Sequence, residues 1–152
     1  MIFYRSFWIF LLMKILITGG SGFIGSNLAN ELLFRGHEVR LVDTLNKPAI
    51  KLDGVIVQKG DITDKEFLEK AVSGCEIVFH EAALISVPDS FKKPEKFMEV
   101  NVQGTRNVLE ACRKHDVEKV ILASSAAVYG DEPSIPKTEE SPVLPQSPYA
   151  ES

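Results

Sequence analysis

The stretch KILITGGSGFIG, Lys14 to Gly25, runs from an apolar segment straight into a glycine-rich turn. Lys14–Thr18 has the unbroken apolar character of a strand buried on both faces of a parallel sheet. Helical spacing follows the turn, with Ile24, Leu28, Leu32 and Leu33 on one face of a helix over about Ile24–Arg35. Gly36 suits the end of that helix, because glycine accepts the left-handed conformation found there. Strand, glycine turn and helix in this order open a phosphate-binding unit. Gly19 and Gly22 let the backbone turn sharply and approach a pyrophosphate closely. Gly25 lets the helix pack against the strand. Amides at the helix N-terminus then face the phosphates, with the helix dipole favouring negative charge.

Outward from this unit, apolar runs and helical patterns alternate. The pattern predicts strands at Glu38–Asp43, Gly54–Gln58, Glu76–His80 and Lys119–Ser124. Thr63 and Glu66 have the spacing of a capping box for a helix at about Asp64–Val72. A longer helix is expected from Pro94 to His115, with close packing as the reason for its interior Gly104. Gly130–Pro148 reads as a loop, holding five of the eight prolines. Such alternation, with right-handed crossovers, gives an α/β fold with a doubly wound parallel sheet. Asp43 ends the second strand, 18 residues after Gly25. A carboxylate there can accept bonds from both ribose hydroxyls and repels a 2′-phosphate, which favours NAD over NADP.

Composition bounds what else the chain can be. Its 152 residues suit about one domain, with 45% hydrophobic and 25% charged residues. That excludes a disordered tail, a collagen-like fibre and a polytopic membrane protein. Seventeen basic against 21 acidic residues give a net charge of −4, which disfavours nucleic-acid backbone binding. Cys75 and Cys112 lack metal-ligand spacing and read as reduced, buried thiols of a cytoplasmic protein, with no metal site. Five of the 13 aromatic residues fall in the first ten positions. Residues 1–12 are too short an apolar run to span a membrane, and no small-residue cleavage site follows them. They read as an extension ahead of a second Met at position 13; the alternative is a weak membrane-surface anchor.

TGGSGFIG (Thr18–Gly25), Asp43, GDITD (Gly60–Asp64), HEAA (His80–Ala83), SSAAVYG (Ser124–Gly130) and SPYAES (Ser147–Ser152) occur in one recognisable order. Together they resemble the extended short-chain dehydrogenase/reductases, and within them the NAD-dependent nucleotide-sugar epimerases that act at C4. The resemblance covers residues 13–152 and implies a Rossmann-like NAD-binding domain, here ending after the fifth strand. It implies that Gly19, Gly22, Phe23, Ile24 and Gly25 hold the pyrophosphate and Asp43 the adenosine ribose. Asp61 and Ile62 would meet the adenine; by itself, Asp61 reads as a turn residue. His80, Ala82 and Ala83 would flank the nicotinamide half, although a lone histidine there is more often a satisfied core residue. Asn101 would support this part of the site, its bland reading being a buried polar group bonded to backbone. Ser86 and Val87 would touch substrate, and loop structure accounts for them almost as well.

The resemblance assigns the chemistry to Ser125 and Tyr149, with Ser124 facing the cofactor. Free tyrosine ionises near pH 10, so a neighbouring lysine and the oxidised nicotinamide are what would make a phenolate available in the family. Tyr149, assisted by Ser125, would remove a hydroxyl proton from a nucleotide-sugar substrate while C4 gives up hydride. A transient 4-keto sugar would turn over and regain hydride on its other face. Relatives that dehydrate carry an Asp-Glu pair where Ala126 and Ala127 stand, which disfavours dehydration. The family lysine would fall at position 153, one beyond Ser152, and the substrate-binding half would follow it. The chain alone is therefore expected to be a cofactor-binding portion with little activity, and the complete enzyme a homodimer. The alternatives are a non-catalytic NAD-binding module, or a related reductase or decarboxylase.

Overall fold

The computed structural model describes residues 12–45 and 48–152, so residues 1–11 of the apolar N-terminal extension lie outside it. Strands β1 (Lys14–Thr18), β2 (Glu38–Asp43), β3 (Ile56–Lys59), β4 (Ile77–His80) and β5 (Lys119–Leu122) form one parallel sheet. Their order is β3-β2-β1-β4-β5, so the direction of winding reverses between β1 and β4. That reversal leaves a crevice beyond the carboxyl ends of the strands, where ligands bind in open α/β sheets. The register places Thr18 beside both Val42 and His80, which sets the ends of three strands at one edge.

The alternation of side chains along β1 explains its continuous apolar run. Leu16 points to one face, with Val42 and Val78, under helices α2 (Lys65–Val72) and α5 (Thr105–Lys114). Ile15 and Ile17 point to the other, with Val39 and Leu41, under α1 (Phe23–Phe34). Both faces of the central strands are covered, as parallel sheets require. The face that α1 buries runs through Gly25, Ser26 and Ala29, with Leu28, Leu32 and Leu33 packed at its margin. Ile24 departs from the expected stripe: it is 63% exposed and lies at the cleft instead. Both cysteines are free and buried, and burial pushes the Cys112 thiol up to about 11.

Three local expectations change. The cap of α2 is Asp64, whose carboxylate accepts from the Phe67 amide at 3.0 Å, and not Thr63 with Glu66. Thr63 is occupied elsewhere, donating to Asp61. The expected helix over 94–115 begins as α4 (Pro94–Phe97), widens into a π-helical segment (Met98–Gly104) and continues as α5. Within the wider turn the Thr105 hydroxyl donates to the Asn101 carbonyl, a side-chain insertion of the kind that opens a helical ladder. Gly104 is needed there for packing: a Cβ would lie 2.6 Å from the Ile62 Cδ1. Ser86 and Val87 do not lie in a loop, because Val87–Lys92 form α3, capped by Ser86 and carrying Pro88 in its first turn. SSAAVYG includes a 3₁₀ turn at Ala126–Tyr129, and Pro148–Glu151 form α6.

Helix ends separate a residue that fits its conformation from one that does not. After α1, His37 donates to the Leu32 carbonyl and Gly36 to that of Leu33, a Schellman closure with glycine at positive φ. After α5, Val117 donates to the Cys112 carbonyl in the same way, but Asp116 takes the left-handed position at φ 53°. An L residue is strained there, and its negative charge faces the negative end of the helix dipole. Asp116→Gly is therefore expected to raise unfolding free energy by about 1 kcal/mol, measured by urea denaturation; an unchanged or lowered midpoint would contradict the strain.

Candidate functional site

At the carboxyl ends of β1, β2 and β4 lies a cavity of about 510 Å³. Backbone contact builds its floor. Gly19 sits at φ +68°, and a Cβ there would come within 2.7 Å of the Ala82 nitrogen. A Cβ at Gly25 would lie 2.5 Å from the Gly19 carbonyl oxygen. Hydrogen is the only side chain that fits at either place, so turn, helix and the loop after β4 meet backbone to backbone. The N-terminus of α1 consequently opens into the cavity. Its cap, Gly22, offers no side-chain acceptor, and the first turn holds no acidic residue. The amides of Phe23, Ile24 and Gly25 have no acceptor among the described residues. Such a helix end suits an anion.

Asp43 ties this turn to β2. One carboxylate oxygen accepts from the Ser21 amide at 2.9 Å and the other from the Leu45 amide at 2.9 Å. A carboxylate offers about four lone-pair directions, so each oxygen keeps capacity for a further donor. Further along the wall, Asp61 accepts from both the amide and the hydroxyl of Thr63 at 2.9 Å. Asp61 is therefore a turn residue and a cavity-lining residue at once. Ile62 also lines the cavity, beside Ala82 and Ala83. Asn107, which no motif singles out, donates to the carbonyls of Ile62 and Thr63 at 3.1 and 3.2 Å and fixes this loop.

His80 does not line the cavity; it is 3% exposed behind it. Its neighbours define which nitrogen carries the proton. Thr105 donates to the Asn101 carbonyl, so His80 Nε2–H donates to the Thr105 Oγ1 at 2.9 Å. Nδ1 then accepts from the Thr18 hydroxyl at 2.6 Å, and Thr18 accepts in turn from the Ala82 amide at 3.4 Å. The chain of bonds continues through the Asn101 side chain, which accepts from the Leu84 amide at 2.8 Å and donates to its carbonyl at 3.0 Å. One neutral imidazole thus holds β1, the loop after β4 and the π-helical segment together. Burial lowers its pKa from 6.5 to about 4.

A second group of expected residues, Ser124, Ser125, Asn101, Ser86 and Tyr149, is absent from the cavity lining. Ser86 is used as the cap of α3, accepting from the Asp89 amide and donating to its carboxylate at 2.8 Å. Ser125 caps the 3₁₀ turn, accepting from the Ala127 amide at 3.2 Å. The helix that carries Tyr149 packs against this turn. Its ring meets Phe97 edge to face, with centroids 6.5 Å apart. Asn101 also donates to the Ser152 hydroxyl at 2.9 Å, which links α6 to the loop after β4. Cavity-lining residues outside the quoted motifs include Thr44, Leu45, Leu84, Ile85, Lys96 and Val100. They come from loops and one helix face, whose approach depends on packing. No metal-ligand cluster occurs among the described residues.

The histidine chain has a pH consequence. Unfolding releases His80 to an ordinary pKa, so between about pH 4 and 6.5 the unfolded chain binds the extra proton. Stability is then expected to fall by about 2 kcal/mol from pH 7 to pH 5. Denaturant titrations at the two pH values should show this slope for the unsubstituted chain and a flatter one for His80→Gln. An equal slope in both would assign the effect to another group.

Residues 15–152 match the model of the "NAD dependent epimerase/dehydratase family". A putative UDP-glucose 4-epimerase of Methanocaldococcus jannaschii is 41% identical over 140 residues, covering 89% of this chain and 46% of that protein. A UDP-N-acetyl-alpha-D-glucosaminuronate decarboxylase of Bacillus cytotoxicus is 43% identical over 122 residues, covering 77% of this chain and 38% of the relative. The crystal structure of Thermus thermophilus UDP-glucose 4-epimerase in complex with NAD superimposes with a TM-score of 0.83 at 41% identity. That likeness covers 91% of this chain and 47% of the other. The chain thus spans about half the length of the two epimerases and 38% of the decarboxylase. With the family model matching from the first strand to Ser152, the chain belongs to the NAD-dependent epimerase/dehydratase family.

Proposed function

We propose that this chain is the cofactor-binding half of a nucleotide-sugar 4-epimerase that uses NAD. The observation that carries the reading is the single cavity joining an uncapped helix N-terminus to a carboxylate with spare lone pairs. Those two features fit a dinucleotide. The Phe23, Ile24 and Gly25 amides would hold its pyrophosphate, and Asp43 its adenosine ribose hydroxyls. A 2′-phosphate would meet the Asp43 charge, which selects NAD over NADP. Asp61 and Ile62 would border the adenine, while Ala82 and Ala83 leave space for the nicotinamide half. His80 and Asn101 would act as positioning residues for that small-residue loop.

Bound NAD supplies a hydride acceptor and donor at the substrate carbon. The chain's own part would be proton movement and orientation. Tyr149 Oη would take the proton of the substrate 4-hydroxyl and later return it to the same oxygen. Ser125 Oγ would donate to that oxygen and keep it aligned, with Ser124 beside it toward the cofactor. Substrate contacts would come from the half of such an enzyme that this chain does not span. Catalysis would require both halves, and the complete protein would be a homodimer. The high identity to a decarboxylase gives a second reading, in which the same cofactor half serves decarboxylation of a nucleotide-sugar acid.

Calorimetry of this chain should detect NAD, with Asp43→Ala lowering affinity about 30-fold, the loss of about 2 kcal/mol in charge-assisted bonds. Unchanged affinity would remove Asp43 from the ribose site. The chain alone should interconvert UDP-glucose and UDP-galactose weakly or not at all. The longer polypeptide of which it would form half should do so, and Tyr149→Phe should cost at least about 10²-fold in kcat, the usual scale for a general base. Carbon dioxide release from a UDP-hexuronic acid without 4-epimerisation would favour the second reading.

A further inference from the structure

Among its described residues the cavity is short of positive charge for a dinucleotide. Its lining includes three carboxylates, Asp43, Asp61 and Glu81. The α1 N-terminus contributes only about half an elementary charge, whereas a dinucleotide pyrophosphate carries two negative charges. Among the described residues of the lining, Lys96 alone has a cationic side chain. It stands on α4 and shares the cavity lining with the glycine turn and with Leu84, Ile85 and Val100. Its ammonium donates to Glu99 Oε2 at 2.9 Å, one helical turn along. Both side chains are about half exposed, 49% for Lys96 and 52% for Glu99. A pair so open to water holds its partners weakly. An ammonium has three donors on a flexible stem, so it can keep Glu99 and still reach a phosphate oxygen.

From this we infer that Lys96 is a cofactor-binding residue, the cation that neutralises the pyrophosphate over the α1 N-terminus, with Glu99 as its resting partner. The inference rests on the dinucleotide reading given above. In the free chain Glu99 holds the ammonium at the cavity wall. With a dinucleotide present, the more concentrated charge of the pyrophosphate draws it away from Glu99. The pairing also gives Glu99 a definite effect, since it competes with the ligand for the same group.

NAD calorimetry on this chain, repeated over a range of salt, separates the inference from the reading beneath it. Lys96→Met keeps the aliphatic stem and removes the charge. It is expected to weaken NAD binding about tenfold (about 1.4 kcal/mol) at low ionic strength, the deficit shrinking toward 1 M salt as charges are screened. Lys96→Arg should retain most of the affinity. Glu99→Gln should tighten binding a few-fold, the opposite sign from a change that merely loosens the helix. Unchanged affinity in Lys96→Met, a loss indifferent to salt, or weaker binding in Glu99→Gln would overturn the assignment while NAD binding by the unsubstituted chain stands. Absence of NAD binding by the unsubstituted chain would overturn both.

Discussion

The contact between Gly19 and the backbone of Glu81 and Ala82 is the constraint on which the cavity depends. It lies where the winding of the sheet reverses, between β1 and β4, and it admits no Cβ on one side. Because the chain after β4 can come so close, the α1 N-terminus and the loop after β4 border one space. Gly25 repeats the logic one layer out, letting α1 rest on the turn itself. Any side chain at either position would push these segments apart and dissolve the cavity into separate surface features. The Asp43 carboxylate then fixes the turn from the β2 side through the Ser21 amide.

A second constraint runs at right angles to the first. The succession Ala82, Thr18, His80, Thr105, Asn101 is a directional chain of hydrogen bonds in which each hydroxyl both accepts and donates. It joins the strand ends to the π-helical segment, and Asn101 carries it onward to Leu84 and Ser152. A histidine placed this way contributes through being neutral and doubly bonded, which is why burial can hold its pKa so low without leaving a ring nitrogen unpaired. The same chain reaches α6, so the positions of Tyr149 and of the loop bordering the cavity are mechanically connected.

Parts of this were legible in the residues because their cause is local. A run of five strand residues followed by glycines and a helical stripe allows few conformations, and β1 and β2 have the bounds that the pattern indicates. The acidic residue at the end of β2 follows from chain order alone. Less legible were features in which two side chains compete for one role. Thr63 and Asp64 both suit a helix cap, and the choice falls to Asp64 because Thr63 is engaged with Asp61. Ser86 with Pro88 did carry a helix-start signal for α3, hidden by its short length. Ile24 fits the apolar stripe of α1 yet faces the cavity, since Gly25 brings the first turn of the helix closest to the backbone beneath it.

By itself, the amino-acid sequence determined the α/β class, the glycine turn, the Asp43 position and the family resemblance. All of these rest on short-range spacing, where backbone sterics and residue chemistry leave little choice. Only the tertiary structure decided that His80 joins Thr18 to Thr105, that Asn107 holds the Asp61–Thr63 loop, and that Lys96 is the cation among the described residues of the cavity lining. Each of these joins residues from separate elements. Their proximity is created by strand order and helix packing, through hydrogen bonds and charges that act over a few ångströms and have no signature along the chain.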